Sequence, residues 1–590
     1  MLPLPCLTFL LWIPTTAFDV GGIPGDAAAA SCRATGPPSV TSTRPADGST
    51  GVSGKPTLSA IFSEAMDPAT ITAETFTVVG PDQVSVQGTV SYDAPSRTAT
   101  FAPVHALAAG RRYSAKITLG ARNLAGDGLP ADFVWSFSTA APADALPPSM
   151  SLEKEGDYSY VIPALEILGF EVALNAFDRH VDEEVYGVTA SSIRHNLSHG
   201  WVFDTDPFAG NQLQHPYSGS IFYGFARSAG LSYWESLAYT FGGSLLWEYA
   251  GETGPPSAND LITTTLGGSF LGEALYRMAN LVLGTGGARP GFWRELAAAA
   301  ISPPTGFNRN LLCGRFDAVF PDNDPALFAR LRLGGSLNTQ LSDQGTTRNV
   351  SRKEAVADFS LAYGLPGKPG YTYRRPFDYF NFEVTGSSST NSTFENVMVR
   401  GLLYGAECRE GSGYRGIWGL YGSYDYISPE VFRISSSALS LGSTGQLWLS
   451  RAVALQGTAL AGVGFGASGT IASVGERDYH YGTIPQALFA MRLIFDDVAM
   501  LDLTAREYYV TGTGIDGRHG YENILRGQVS FTVRIYGQHA LGIQYVASER
   551  DSYYRAFPDR HQTMGTISIV YNFLGDPRFG AVEWRNLDGR

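Results

Sequence analysis

The chain has 590 residues, a formal net charge of -13 and only 16% charged residues, against roughly 25% in an average soluble protein. That length calls for several domains, and the acidic balance, with no run of Lys or Arg, argues against nucleic acid as a partner and against an anionic-lipid clamp. Aromatics reach 12%, with 30 Tyr and 68 Gly, a mix that suits strands facing lipid on one side and a polar lumen on the other.

The first apolar stretch, Leu7 to Ile13, is too short to span a bilayer and reads as the h-region of a signal peptide, although a basic n-region is missing. Residues 1–35 are therefore expected to be signal and linker. Ala30-Ser31-Cys32 is a faint acylation motif, but Asp19 and Asp26 lie between it and the apolar run. Cys6 would leave with the signal. Cys313 and Cys408 are either a disulfide in an oxidising envelope or two buried thiols. There is no CxxC pair and no expected metal or cofactor site.

Residues 36–142 are expected to form an all-β sandwich. Short β-prone runs (57–62, 75–79, 88–92, 98–101, 112–117 and 133–138) are separated by turn signals such as Pro45-Ala46-Asp47-Gly48 and Gly126-Asp127-Gly128. Pro45-x-Asp47-Gly48, Phe62-Ser63-Glu64-x-Met66-Asp67, Phe101-x-Pro103, Tyr113 and Phe137-Ser138-Thr139 carry a resemblance to the bacterial Ig-like domain of S-layer and other envelope proteins. The resemblance implies a spacer or adhesive module. Glu64 and Asp67 suit a turn or cap, with calcium binding as the alternative.

Residues 143–326 change period. Apolar residues at helical spacing from Ile162 to Arg179 predict one helix. Others are expected from His215 or Tyr217 to Ala229, from Ser232 to Glu248, and from a cap among Ser257, Asn259 and Asp260 to Leu281. Their faces are rich in Gly, Ser and Thr, which lets helices approach closely. Arg227, Glu273 and Arg277 are expected to form a structural polar network, Glu273 and Arg277 being an i,i+4 pair. His215, Glu248, Glu252 and Asp260 are the candidate catalytic residues, the types that acid–base chemistry requires. Asp204-x-Asp206 is a partial calcium-turn pattern. Gly-x-Ser-x-Gly and His-Glu-x-x-His are both absent.

From about 160 to 315, the order of Asn196, Trp201, Asp204, Asp206, Asn211, His215-Pro216, Trp247-Glu248-Tyr249, Asn259-Asp260, Gly272-Glu273, Arg277 and Asn308-Arg309 resembles a bacterial domain-of-unknown-function family seen with outer-membrane-like C-terminal halves. That family brings no established activity. The spacing Glu248…Ser257-x-x-Asp260…Gly267…Gly272 is also similar to helical membrane proteins of the VanZ type, and is read as convergence on capped, close-packed helices.

Residues 327–575 alternate with period two. Val529, Phe531, Val533 and Ile535 oppose Gln528, Ser530, Thr532 and Arg534, and the pattern repeats in 451–466, 498–506 and 566–573. Strands of about ten residues joined by alternating short and long links predict an antiparallel transmembrane β-barrel of about twelve strands. Both barrel ends then lie on the short-turn side. Trp418, Tyr424, Trp448, Tyr508 and Tyr571 are expected in interfacial girdles. Residues 576–590 form a tail that either tucks into the lumen or marks a non-standard assembly substrate.

The expected protein is an outer-membrane envelope component. It combines a barrel, an associated plug-like helical segment set against or inside it, and a periplasmic Ig-like spacer, with roles in structure, binding or transport. Its partners would be outer-membrane lipid and, as candidates, peptidoglycan or other envelope components. Two rival readings are an envelope hydrolase acting on lipid or peptidoglycan, and an adhesin.

Overall fold

A computed structural model describes residues 37–139, 158–284, 291–312 and 325–584, apart from short segments at 53–55, 81–83, 109–110, 205, 344–345, 351–353, 389–393, 411–412, 430–431, 470–474, 513–518, 556 and 577. The expected signal segment, Cys6, Cys32, the linker from Ala141, and Cys313 with its pairing to Cys408 lie outside the described residues.

The N-terminal part is a sandwich of two four-stranded sheets. One orders β1 (Val40–Arg44), β3 (Leu58–Phe62), β6 (Thr98–Pro103) and β5 (Gly88–Asp93); the other orders β2 (Ser49–Val52), β8 (Phe133–Thr139), β7 (Arg112–Ile117) and β4 (Phe76–Val79). Alternate residues of each strand meet between the sheets, where Phe76 packs 5.6 Å from both Phe101 and Trp135. Asp67 caps a short 3-10 turn, its Oδ1 accepting from the Ala69 N–H at 3.0 Å, so the turn reading holds for that carboxylate.

The helical part runs α1 (Val161–Val181), α2 (Glu183–Tyr186), α3 (Ala190–Ser198), α4 (His215–Ser228), α5 (Tyr233–Ala250), α6 (Ala258–Ile262), α7 (Gly268–Gly284), α8 (Phe292–Ile301) and α9 (Pro303–Leu311). π-helical turns at 210–214 and 263–267 lead into α4 and α7. Ser232 and Glu235 close a capping box at the start of α5, and Ser257 caps α6. Gly219 lets α4 meet the next layer: a Cβ there would sit 2.0 Å from the Thr264 carbonyl oxygen.

The C-terminal part is a closed antiparallel barrel. Its staves are β9 (Leu327–Asp343), an interrupted second strand made of β10 (Thr346–Val350) and β11 (Ala355–Tyr363), β12 (Phe380–Ser387), β13 (Phe394–Glu410), β14 (Tyr414–Ile427), β15 (Arg433–Trp448), β16 (Val453–Gly469), β17 (Tyr479–Phe495), β18 (Ala499–Gly512), β19 (Gly520–Tyr536), β20 (His539–Tyr554) and β21 (Arg560–Leu574). β10 and β11 both pair with β9, and β21 returns to β9 to close the cylinder, so the staves number twelve. Short connections join β15 to β16, β17 to β18 and β19 to β20. The stretch from Ser548 to His561 is mostly strand, however; β20 continues to Tyr554.

Alternation sorts the wall. Val529, Phe531, Val533 and Ile535 are exposed on the outside, while Ser530 and Thr532 are buried inside. Outward charges among the described strand residues include Glu410 at the end of β13, and Glu507, Glu549 and Asp551 in the long-loop halves of β18 and β20. Tyr509, Tyr521 and Tyr553 make an outer aromatic row near the long-loop end, with ring centroids 5.3 and 4.9 Å apart. Three of the expected girdle residues sit elsewhere. Tyr508 faces inward to Asp425 at 3.0 Å, Trp448 faces inward to the tail, and Tyr424 faces outward but is covered.

The tail tucks into the lumen. Val582 exchanges hydrogen bonds with Gln446, its N–H donating to Oε1 at 2.9 Å and its carbonyl accepting from Nε2 at 2.7 Å. Trp584 is buried beneath the 364–379 connection, where Gly367 (φ +106°) leaves room for its ring.

Of the two expected placements, against the barrel or inside it, the described helices take the first. On β14, exposed Trp418 marks the outward register, and Gly422, Tyr424 and Tyr426 share it. On β17, exposed Phe489 does the same for Tyr479 and Tyr481. These are the residues that the helices cover. Phe270 of α7 lies against Gly422, and Phe208 packs on Tyr426 and Tyr479 at 5.8 and 5.4 Å. The physical reason is shape and polarity: aromatic outer faces and apolar helix faces match, while the lumen is already filled by Arg, Asp and the tail.

Candidate functional site

The polar residues of the helical part gather in two places. The first is built where the 201–214 stretch, α6 and the start of β17 meet. Asp204 Oδ1 accepts from Asn259 Nδ2 at 2.9 Å and from the Asn211 side-chain amide. Asn259 Nδ2 also reaches Tyr481 Oη at 2.7 Å and Asp260 Oδ1 at 2.9 Å. Asn211 Nδ2 reaches Tyr479 Oη at 3.1 Å, and the Tyr479 hydroxyl donates to the Asp206 carbonyl at 2.7 Å. The barrel wall therefore completes a network begun on the helices.

His215 and Asp260 are brought together, with Nε2 4.0 Å from Oδ1, while His215 Nδ1 lies 3.2 Å from Thr264 Oγ1. Glu248 stands beside them and accepts the Ser257 N–H at 2.7 Å. Glu252 is engaged elsewhere, its Oε1 accepting from Trp247 Nε1 at 3.0 Å. Burial pushes the Glu248 carboxyl up to about 8, with neighbouring Glu252 and Asp204 adding to the effect. Burial likewise lifts Glu252 to about 7 and raises Asp260 well above its ordinary range. Burial lowers His215, against the pull of Asp204. At neutral pH Glu248 and Asp260 thus hold their protons beside a neutral imidazole, the state that a low-dielectric setting favours.

Such a group can hold and relay protons. It does not present a hydrolytic triad: the described hydrogen bonds of Ser257 and Thr264 engage them as cap and neighbour, not as an activated nucleophile. Asp206 meets Arg477 at 3.2 Å, and Asp204 is held by amide donors, so these two carboxylates are used as pairing groups rather than as a shared turn.

The second place is the expected polar network. Glu273 is fully buried and takes Arg227 Nε at 2.9 Å on one oxygen and Arg277 Nε at 2.7 Å on the other. The Tyr223 hydroxyl adds a bond at 2.8 Å, and Arg277 continues to Asp378 of the barrel at 3.1 Å. Burial opposes ionisation of Glu273, but the two guanidinium groups outweigh it and hold the carboxyl below its usual value.

Sequence reasoning missed Tyr479 and Tyr481. The available signal was the pair of polar-tipped aromatics on the outward register of a strand whose later outward residues are Pro485, Ala487 and Phe489.

The architecture defines a class: an Ig-like sandwich, a helical layer, and a closed twelve-stave barrel of the kind found in outer-membrane proteins. The particular relationships are regional. Residues 34–139 match the bacterial Ig-like domain family, and residues 200–304 match a family described as a domain of unknown function, DUF3943. No curated protein matches the chain. Among solved structures, CopC from Methylosinus trichosporium OB3b is 17% identical over 18% of this chain and 96% of its own, with a TM-score of 0.16. The outer membrane channel DcaP of Acinetobacter baumannii is 7% identical over 42% and 96%, with a TM-score of 0.20. The translocator domain of the autotransporter NalP from Neisseria meningitidis is 13% identical over 42% and 88%, also at 0.20. Each likeness covers part of the chain and carries no reading of activity.

Proposed function

We propose that the chain is an outer-membrane protein without catalytic activity, in which the helical layer lies in the membrane beside the barrel and serves envelope structure or binding. The observation that carries this is the inside-out pattern of α1. Val161, Leu165, Leu168 and Val172 are 66, 62, 47 and 62% exposed, while Glu171 and Asp178 are buried. A helix in water turns its apolar face inward; one bordered by lipid gains by the reverse. The exposed face of α1 is apolar, and so is the exposed outer face of the barrel strands. No helix among the described residues is long and apolar enough to cross a membrane, so the strands supply the crossing.

With both barrel ends on the short-turn side, the Ig-like part falls in the periplasm as a spacer toward peptidoglycan or other envelope components. The adhesin reading requires the opposite side. In this reading the domains are 36–142, 143–326 and 327–575, followed by the tail 576–590.

The test is twofold. Membrane fractionation should place the protein in the outer membrane, with a band whose migration changes on boiling. A nitroxide at Val172→Cys should collide with oxygen rather than with a water-soluble nickel chelate, whereas one at Val134→Cys should do the opposite. Water-type accessibility at both positions would refute the reading. The hydrolase alternative draws on the His215–Asp260 approach alone, and loss of an envelope-hydrolysing activity in His215→Ala would revive it.

A further inference from the structure

The lumen of the barrel holds a feature that the proposed function does not use. Between the tucked tail and the long-loop end lies a chamber of about 170 Å³. Its floor includes Phe328, Leu365 and Tyr379, which pack with Phe579 and Trp584 of the tail. Beyond it, Ile427, Ile434 and Ile484 form an apolar layer toward the long loops.

Five arginines line this chamber: Arg330, Arg332, Arg400, Arg492 and Arg506. Four of them have carboxylate partners at hydrogen-bond distance. Arg330 and Arg492 share Asp502 at 2.8 and 2.6 Å, Arg332 takes Asp358 at 2.6 Å, and Arg400 takes Asp425 at 3.2 Å. Arg506 differs. Glu383 is 3.8 Å from it and equally far from Arg332, and the charge of Asp425, already bonded to Arg400, also reaches it. The Nε of Arg506 is buried with no hydrogen-bond partner, and so is the Nε of Arg330. Among the described residues, the five guanidinium groups that line the chamber have four carboxylates as partners, Asp358, Asp425, Asp502 and Glu383.

A buried N–H of a charged group left without an acceptor is unfavourable unless something completes it. A guanidinium offers a planar fork matched to the oxygens of a carboxylate or phosphate. We infer that the chamber is a binding site for a small oxyanion, gripped by Arg506 and completed by Arg330. The site lies inside the barrel and stands whether or not the helical layer lies in lipid.

Isothermal titration of the full-length protein, folded in detergent and equilibrated overnight in chloride-free buffer, tests this with inorganic phosphate in one arm and succinate in the other. Saturable binding of at least one is expected, and the arm that binds assigns the anion as phosphate or carboxylate. Arg506→Gln should weaken binding at least tenfold, while Arg534→Gln, a turn-side arginine paired with Asp497, should leave it unchanged. Boiling-dependent gel migration checks that each variant is folded. If Arg506→Gln does not fold, Glu383→Gln serves instead: removing the competing carboxylate should tighten binding severalfold. Absence of saturable binding in both arms overturns the inference. So does unchanged affinity in a folded Arg506→Gln, or no gain from Glu383→Gln.

Discussion

The hydroxyl of Tyr424, on the outer face of the barrel, donates to the backbone carbonyl of Gln212 at 2.5 Å. Both groups are buried, and the carbonyl belongs to the π-helical turn that precedes α4. A barrel side chain thus satisfies an irregular helix, which ties the two parts together by chemistry as well as by shape. Tyr424→Phe removes the donor and leaves the oxygen dry, at about 1–3 kcal/mol. Limited proteolysis should cut the helical part faster in this variant, while the boiling-dependent migration of the barrel stays as in the wild type. Equal cleavage rates would show that the bond adds nothing to docking.

Glu273 is the hinge of the buried charge network, and removing its charge should be among the most damaging conservative changes in the helical part. Glu273→Gln leaves Arg227 and Arg277 in the interior, with Asp378 still bonded to Arg277. Breaking a buried pair of this kind costs about 3–5 kcal/mol. A clear fall in the unfolding midpoint is expected. Adding Arg227→Met should recover part of it, because the surplus charge goes with the side chain.

The acidic cluster predicts a pH dependence with a definite sign. Glu248 and Glu252 bind protons more tightly when folded, with values near 8 and 7 against an ordinary 4.5. Their contribution is fully present below about 4.5 and is lost as the pH rises through 7 to 8. For Glu252 alone this is of order 3 kcal/mol. His215, shifted downward, works the other way and favours folding above its unfolded value of 6.5. The exchange rate in α5 and α6, once the intrinsic base-catalysed increase is divided out, should therefore rise between pH 5 and pH 8. Glu248→Gln, which keeps an acceptor for the Ser257 N–H, should flatten that rise.

The barrel was legible because period two needs no partner to be seen: Val529 to Ile535 alternate whatever covers them. Helix starts at Ser232 and Ser257 were legible for the same local reason, since a cap is written within three or four residues. The docking side was not. Tyr424 and Tyr481 look like any outward barrel aromatic until one knows that helices cover them. The apolar period of α1 was plain in the sequence too, yet periodicity gives a face and not its direction. Among the candidate residues, His215 and Asp260 meet, but the Asn259, Tyr479 and Tyr481 that bind the cluster to the wall are joined by contacts more than 200 residues apart in the chain.

The tucked tail has a consequence for how the barrel can be taken apart. Gln446 and Gln456 of the inner wall hold backbone groups of Val582 and Gly580, and the seam between β9 and β21 seals the space around them. The stretch that follows β21 thus packs against the inner wall of the cylinder that β21 itself closes. A stopper seated on the wall by side-chain amides is separable from the wall: removal of residues 576–584 would leave all twelve staves their partners while freeing Gln446, Gln456 and the ring pocket over Gly367.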